Sequence, residues 1–229
     1  MNSEAHENIE IQQHMEFSPS YRWQHWIRVI AIVALTVTGF YIADPFLTPA
    51  VNSEPTNFLQ SLIRSWHLIF GFVLICAVIF KTYITLFTRE CKIERDSLKD
   101  VYNLKVWVQQ VGYYLFMTKH PKANGVYNPV QSAAYAAFYL MLFALIITGL
   151  IMYVHVFHDG LGGFLYAPMK SIEVMMGGLA NVRVIHHILT WGILFFVLAH
   201  VYMAIFNAVF GKEGSMDAIF SGLKWHKKH

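Results

Sequence analysis

Apolar residues along this chain gather into four long runs, separated by segments in which charge, proline and glycine return. The runs near Tyr21–Ala43, Ser65–Phe87, Asn128–Val154 and Val184–Phe210 each reach the about 20 residues that a helix needs to cross a hydrocarbon core. The segment between the first two, 44–64, is punctuated by Pro45, Pro49 and Pro55, which suits an irregular extramembrane loop. The second run ends at Thr88-Arg89-Glu90, and Lys81 near that end is placed to snorkel toward the interface. The pattern predicts an all-α integral membrane protein, a single domain built on a four-helix transmembrane bundle.

Two further stretches are less regular. Met1–Ser20 is polar and acidic and lacks the basic start and small-residue cleavage site of a secretory signal, so the first apolar run is expected to stay in the mature chain. Val101–Met117 mixes apolar and polar positions and reads either as a helix lying in the membrane interface or as an amphipathic connector. A weak internal echo links Thr38-Gly39-Phe40 in the first run to Thr148-Gly149-Leu150 in the third, where small residues would let helices or a flat ligand approach closely.

Composition agrees with the pattern: 56% of the 229 residues are hydrophobic, 16% aromatic and only 14% charged, far more apolar than a soluble domain. The net charge of +3 matters less than its placement. Lysine and arginine crowd the segment 88–127, from Arg89 to Lys122, and the C-terminal tail, from Lys212 to Lys228, whereas 44–64 and 155–183 contribute only Arg64, Lys170 and Arg183. Positive residues mark the cytoplasmic side. Both termini and the loop 88–127 are therefore expected in the cytoplasm of a multi-pass protein of a bacterial inner membrane, with 44–64 and 155–183 on the periplasmic face. No nucleic-acid partner is expected.

Histidine adds the chemistry. Of twelve histidines, His6, His14, His226 and His229 lie in polar tails, His120 in the basic loop, and His155 and His158 just past the third run. Solvated surface accounts for these. His25, His67, His186, His187 and His200 lie in or at the mouths of apolar runs, where an ionisable side chain is costly and usually functional. His186 and His200 are fourteen residues apart on the last run. At about 100° per residue they leave nearly the same helix face, roughly 21 Å apart along the axis. His187 is rotated about 140° from the face of His200, which makes it the weaker candidate.

The expected topology sorts these residues by depth. It pairs His67 with His186 near the outer face and His25 with His200 near the inner one, with His155 a competitor at the outer level. Two bis-histidine layers suit haem b better than zinc, because structural zinc wants four protein ligands, whereas each layer offers two and no cysteine or carboxylate lies at the same depth. Haem supplies its other four nitrogens itself. The two cysteines, Cys76 and Cys91, form no CxxC or CxxCH, which excludes covalent c-type attachment and a cysteine-ligated iron–sulfur cluster. Trp23, Trp26, Trp66, Phe70 and Trp191 lie near the ligands in sequence and serve either as flat walls or as ordinary interface aromatics. Arg22, Arg28, Arg64 and Arg183 serve either as propionate partners or as anchors of helix ends. A chain whose histidines relay protons or hold helices together, as in a small transporter or assembly anchor without haem, is the alternative from another class.

The arrangement Arg22-Trp-Gln-His25-Trp26, Trp66-His67 with Gly71 one turn on, Tyr127-Asn128-Pro129 opening the third run, and the His186/His200 pair resembles the cytochrome b subunit of membrane-bound nickel–iron uptake hydrogenases, over essentially the whole chain. The cytochrome b subunits of membrane formate dehydrogenases share the same four-helix di-haem core, and histidine spacing alone does not separate the two. The long loop with Tyr113-Tyr114-Leu115 followed by Tyr-Asn-Pro is the more hydrogenase-like feature.

The resemblance implies that the hydrogen-splitting site lies on a nickel–iron large subunit and that iron–sulfur clusters of a small subunit pass electrons to this chain. It implies two haem b, the outer held by His67 and His186 and the inner by His25 and His200. It also implies delivery of electrons to menaquinone or ubiquinone near the cytoplasmic face. Asn128 and Tyr127 are then candidate quinone contacts, with a helix cap and an interface aromatic as their structural roles, and His120 is a candidate for proton delivery. The glycine-containing segment 155–183 is read either as the dock for the electron donor or as a solvent-facing loop.

Overall fold

The computed structural model describes residues 11–15, 17–47, 58–88, 101–114, 117–118, 127–209 and 215–227. Seven helices are present among them: α1 (Pro19–Ala43), α2 (Phe58–Phe87), α3 (Leu104–Tyr114), α4 (Pro129–Val154), α5 (Leu161–Met175), α6 (Leu179–Val209) and α7 (Ser215–Ser221). Two short strands, β1 (Ile11–Met15) and β2 (Leu223–Lys227), complete the order. Four helices, α1, α2, α4 and α6, are long and apolar enough to cross a membrane. The chain is thus a membrane protein whose four apolar runs are helices. Two of these helices start well before the apolar pattern suggests: α2 begins at Phe58 and α6 at Leu179. Most of the basic loop, including Arg89, Lys92, Arg95, Lys99, Lys119, His120 and Lys122, lies outside the described residues, as do His6, Lys212, Lys228 and His229.

Local chemistry explains the helix ends. Ser18 precedes Pro19, and its hydroxyl accepts from the Tyr21 amide at 3.3 Å, the usual arrangement of a capping serine before a first-turn proline. Asn128 caps α4 in a reciprocal box: its side-chain oxygen accepts from the Gln131 amide at 2.9 Å, and the Gln131 carboxamide accepts from the Asn128 amide at 3.1 Å. Between α5 and α6 the chain reverses within Met176–Gly178. Gly177 and Gly178 adopt φ of 82° and 96° there, values that a side chain at either position would oppose.

Two compact units divide the chain, one comprising Ile27–Phe196 and the other Met1–Trp26 with Val197–His229. In the first, many large side chains face outward, among them Val37, Ile79, Leu140 and Phe195, as the surface of a lipid-embedded helix requires. Lipid tails are as apolar as leucine, so such helices associate by close packing and hydrogen bonding. Phe138 stacks on Phe196 with centroids 4.2 Å apart, and a Cβ added at Gly192 would come within 2.8 Å of Met141 Sδ. These contacts draw α4 and α6 together. Beside them Ile151, Val154, Met169 and Val182 form a buried cluster that seats α5 on the ends of α4 and α6. The segment 155–183 is therefore a packed helical cap rather than a simple loop.

Lys81 departs from expectation. Its side chain is 5% exposed and turned inward, where the sequence suggested snorkelling.

In the second unit β1 and β2 pair antiparallel, Ile11 opposite Lys227 and Met15 opposite Leu223. The Phe17 amide donates to the Gly222 carbonyl at 3.3 Å, and the Arg22 guanidinium donates to the Phe220 carbonyl. Trp26 packs on Phe220 at 4.8 Å between centroids and directs its indole N–H to the Ile219 carbonyl. The two ends of the chain are thus clasped to one another, a relation between residues about two hundred positions apart that periodicity does not reveal.

Candidate functional site: two histidine pairs

Two histidine pairs stand out, and each lies within one compact unit. The first joins α1 to α6. The rings of His25 and His200 stand with centroids 6.3 Å apart and planes inclined at 52°. A metal bonded to one nitrogen of each ring at about 2 Å holds the two centroids about 6 Å apart, once the ring radius of about 1.1 Å is added to each bond. The observed separation suits a shared axial metal and exceeds that of a stacked or directly hydrogen-bonded pair. Trp26 meets His25 edge to face at 5.4 Å, an aromatic wall beside that ring.

The second pair comprises His67 on α2 and His186 on α6, both half-buried and in the same compact unit. Each ring is held by a threonine from a neighbouring helix. His67 Nδ1 lies 2.8 Å from Thr38 Oγ1, and His186 Nδ1 lies 2.8 Å from Thr148 Oγ1. Both hydroxyls donate to carbonyls of their own helix one turn back: Thr38 to Ala34 at 2.7 Å and Leu35 at 3.3 Å, Thr148 to Ala144 at 2.9 Å and Leu145 at 3.0 Å. A hydroxyl has one proton, so with that proton directed at the backbone each oxygen accepts from imidazole N–H. With Nδ1 as the donor to these oxygens, each Nε2 presents its lone pair, the form in which imidazole binds a metal.

The glycines after these threonines complete the arrangement. A Cβ at Gly39 would come 3.3 Å from His67 Cε1, and one at Gly149 would come 3.6 Å from His186 Cε1. The Thr-Gly echo in the sequence thus marks the residues that orient the two rings and make room for them.

The structure also sorts the competitors. His187 is exposed, its Nε2 accepts from the Trp191 indole N–H at 3.2 Å, and its ring meets Phe40 edge to face at 5.7 Å. Its ring contacts are thus with Phe40 and Trp191. His155 belongs to another cluster: its Nε2 lies 2.5 Å from Glu173 Oε2, while Lys170 Nζ lies 3.0 Å from both carboxylate oxygens. Glu173 is buried, and the hydrogen bond to His155, followed by that to Lys170, holds its carboxyl below the usual carboxylate range. Composition offered no signal for this cluster, because its members lie eighteen residues apart with a chain reversal between them.

Among the described residues no three His, Cys, Asp or Glu side chains come together as a metal site. Pairs without a third or fourth protein ligand fit a group that brings its own equatorial nitrogens. Of the four arginines that flank the histidines in sequence, Arg28 is buried and hydrogen-bonds the Tyr139 hydroxyl at 2.6 Å, Arg22 serves the chain ends, and Arg64 and Arg183 are exposed. Tyr127 packs edge to face on Tyr135 at 4.8 Å, and the neighbouring Asn128 is engaged in its capping box.

Sequence comparison bears on the family of the chain as a whole. The chain is 28% identical over 226 residues to the probable Ni/Fe-hydrogenase 1 B-type cytochrome subunit of Escherichia coli (strain K12), covering 95% of this chain and 93% of that protein. It is 26% identical over 231 residues to the probable Ni/Fe-hydrogenase B-type cytochrome subunit of Rhizobium leguminosarum bv. viciae, covering 96% and 92%. The corresponding protein of Cupriavidus necator is 27% identical over 216 residues, covering 92% and 86%. Residues 16–222 match the prokaryotic cytochrome b561 family, and the chain belongs to that family.

Proposed function

We propose that this chain is the membrane electron-transfer subunit of a hydrogenase, carrying electrons from a periplasmic nickel–iron enzyme to the quinone pool through two haem b. The observation that carries the proposal is the 6.3 Å separation of the His25 and His200 rings, which suits one iron between them. The threonine-held pair His67/His186 supports a second. The bound haem irons would supply one-electron cycling between ferric and ferrous states. The chain supplies the ligand nitrogens in their metal-binding form, apolar helix walls around them, and the fourteen-residue interval on α6 that sets His186 and His200 at different depths.

On this reading His67 and His186 serve the haem nearer the electron donor, and His25 and His200 the haem nearer the acceptor. The donor is a hydrogenase, in keeping with the names of the relatives; on this reading its small subunit passes electrons through iron–sulfur clusters and is itself fed by the nickel–iron large subunit. The chain lies in a bacterial inner membrane with both termini in the cytoplasm, consistent with the crowding of Lys and Arg on that side. Menaquinone or ubiquinone is reduced near the cytoplasmic face. Tyr127 and Asn128 are the residues offered to the quinone, the Asn128 oxygen serving the helix cap.

A reduced-minus-oxidised optical spectrum of the purified protein tests the central point. Two b-type components are expected, each able to be reduced by hydrogen in the assembled complex. Absence of b-type bands overturns the proposal. Reduction by formate in place of hydrogen assigns the chain to the formate dehydrogenase branch.

A further inference from the structure

The two halves of the His67/His186 site are built alike. One membrane helix supplies a Thr-Gly dipeptide and the other a histidine, in both cases with the same 2.8 Å contact from Oγ1 to Nδ1. In both, the threonine proton is spent on a carbonyl one helical turn back. Thr38 is 8% exposed and Thr148 1% exposed, so neither hydroxyl turns to bulk water for a partner. A buried hydroxyl in that position is a directional acceptor for one N–H and leaves the ring a single tautomer.

We propose that Thr38 and Thr148 are positioning residues that hold His67 and His186 in the Nδ1–H tautomer, aim each Nε2 at a common iron, and lower the reduction potential of that haem. The proposal rests on the reading of His67 and His186 as axial ligands. Its physical basis is the polarity of the bond. Accepting from Nδ1–H pushes electron density toward Nε2 and makes the ligand more basic, which favours ferric over ferrous iron. Replacing the hydroxyl by a methyl group removes that push and leaves an N–H in apolar surroundings, so the ferrous state gains.

The two threonines are unequal in one respect. The glycine beside Thr38 leaves the His67 ring less room than the one beside Thr148 leaves His186, 3.3 Å against 3.6 Å from an added Cβ to Cε1, so His67 is the more tightly held of the two rings. The effect is therefore larger at Thr38. The glycines set the steric limit of the same device, since a Cβ at position 39 would press on the His67 ring from the Thr38 side.

The test is a potentiometric titration of the full-length protein in its native membrane, followed in the b-type absorption bands, on Thr38→Val, Thr38→Ser and Thr148→Val. The component concerned is the one that His67→Ala removes. In Thr38→Val the ratio of reduced to oxidised haem in that component, at fixed ambient potential, is expected to rise about two- to tenfold, the range of a single neutral hydrogen bond. Thr148→Val gives a smaller rise, and Thr38→Ser, which keeps the hydroxyl, titrates like wild type. Loss of that haem in Thr38→Val with retention in Thr38→Ser also supports the proposal. A wild-type titration of Thr38→Val, a fall in the ratio, or a Thr38→Ser variant that behaves like Thr38→Val overturns it. Retention of both haems in His67→Ala and His186→Ala strikes instead at the ligand assignment.

Discussion

The rings of His25 and His200 stand with centroids 6.3 Å apart and planes inclined at 52°, too far to stack and suitably spaced for one metal between them. If these two residues share an iron, either alone is insufficient to keep it six-coordinate. His25→Ala and His200→Ala are therefore expected to remove or convert the same b-type component and to leave the other. His67→Ala and His186→Ala should do the reverse, and His187→Ala should spare both. Difference spectra of membranes from the five variants check the assignment, and loss of a haem in His187→Ala alone would refute it.

The two glycines beside the threonines predict unequal responses to the same added methyl group. At Gly39 the new Cβ lies 3.3 Å from His67 Cε1, closer than ordinary contact, whereas at Gly149 the distance to His186 Cε1 is 3.6 Å. Gly39→Ala should tilt its histidine and broaden or shift the low-spin electron paramagnetic resonance signal of that haem. Gly149→Ala should leave the signal close to wild type. Equal effects would show that the rings can move aside freely.

Glu173 makes the cap over α4 and α6 sensitive to acid. Its carboxyl is held below the ordinary value of 4.5 by His155 and Lys170, so its contribution to stability is fully present above that value. That contribution is lost as pH falls through the depressed pKa beneath it. Hydrogen exchange of the α5 amides, compared between wild type and Glu173→Gln, reports it: the wild type should lose protection relative to its own neutral-pH value on acidification below 4.5. Glu173→Gln should show the lower protection already at neutral pH.

Asn128 has a structural duty and a proposed chemical one, and two substitutions separate them. Asn128→Ala removes the cap and is expected to destabilise α4 by about 1 kcal/mol. Asn128→Asp keeps an oxygen for the Gln131 amide and loses the amide donor. If the nitrogen contacts quinone, Asn128→Asp leaves thermal stability close to wild type and raises the KM for quinone in the hydrogen:quinone assay. Unchanged KM would leave Asn128 as a cap alone.

Much of the fold is legible in the sequence because a membrane helix is a local object. A run of about 20 apolar residues is its own evidence, whatever it packs against. The spacing of His186 and His200 places both on one face for the same reason, since helical geometry is common to every chain. The Thr-Gly echo is visible as a pattern too. Its meaning is not, because nothing local distinguishes a threonine that back-bonds to its own helix from one that also holds a ring on another.

What the sequence by itself determined is therefore the number of membrane helices, their approximate extents, and which histidines lie in apolar surroundings. Tertiary structure decided the hydrogen-bond partners, His67 with Thr38, His186 with Thr148 and His155 with Glu173, and the ring separation within the His25/His200 pair that the sequence had matched by depth. It also turned Lys81 inward, folded 161–175 into a helix seated on α4 and α6, and clasped β1 to β2. The physical reason is the same in each case. Helix formation and lipid preference are settled within a few turns of the chain, whereas the hydrogen bonds that orient a side chain depend on which distant segment arrives beside it.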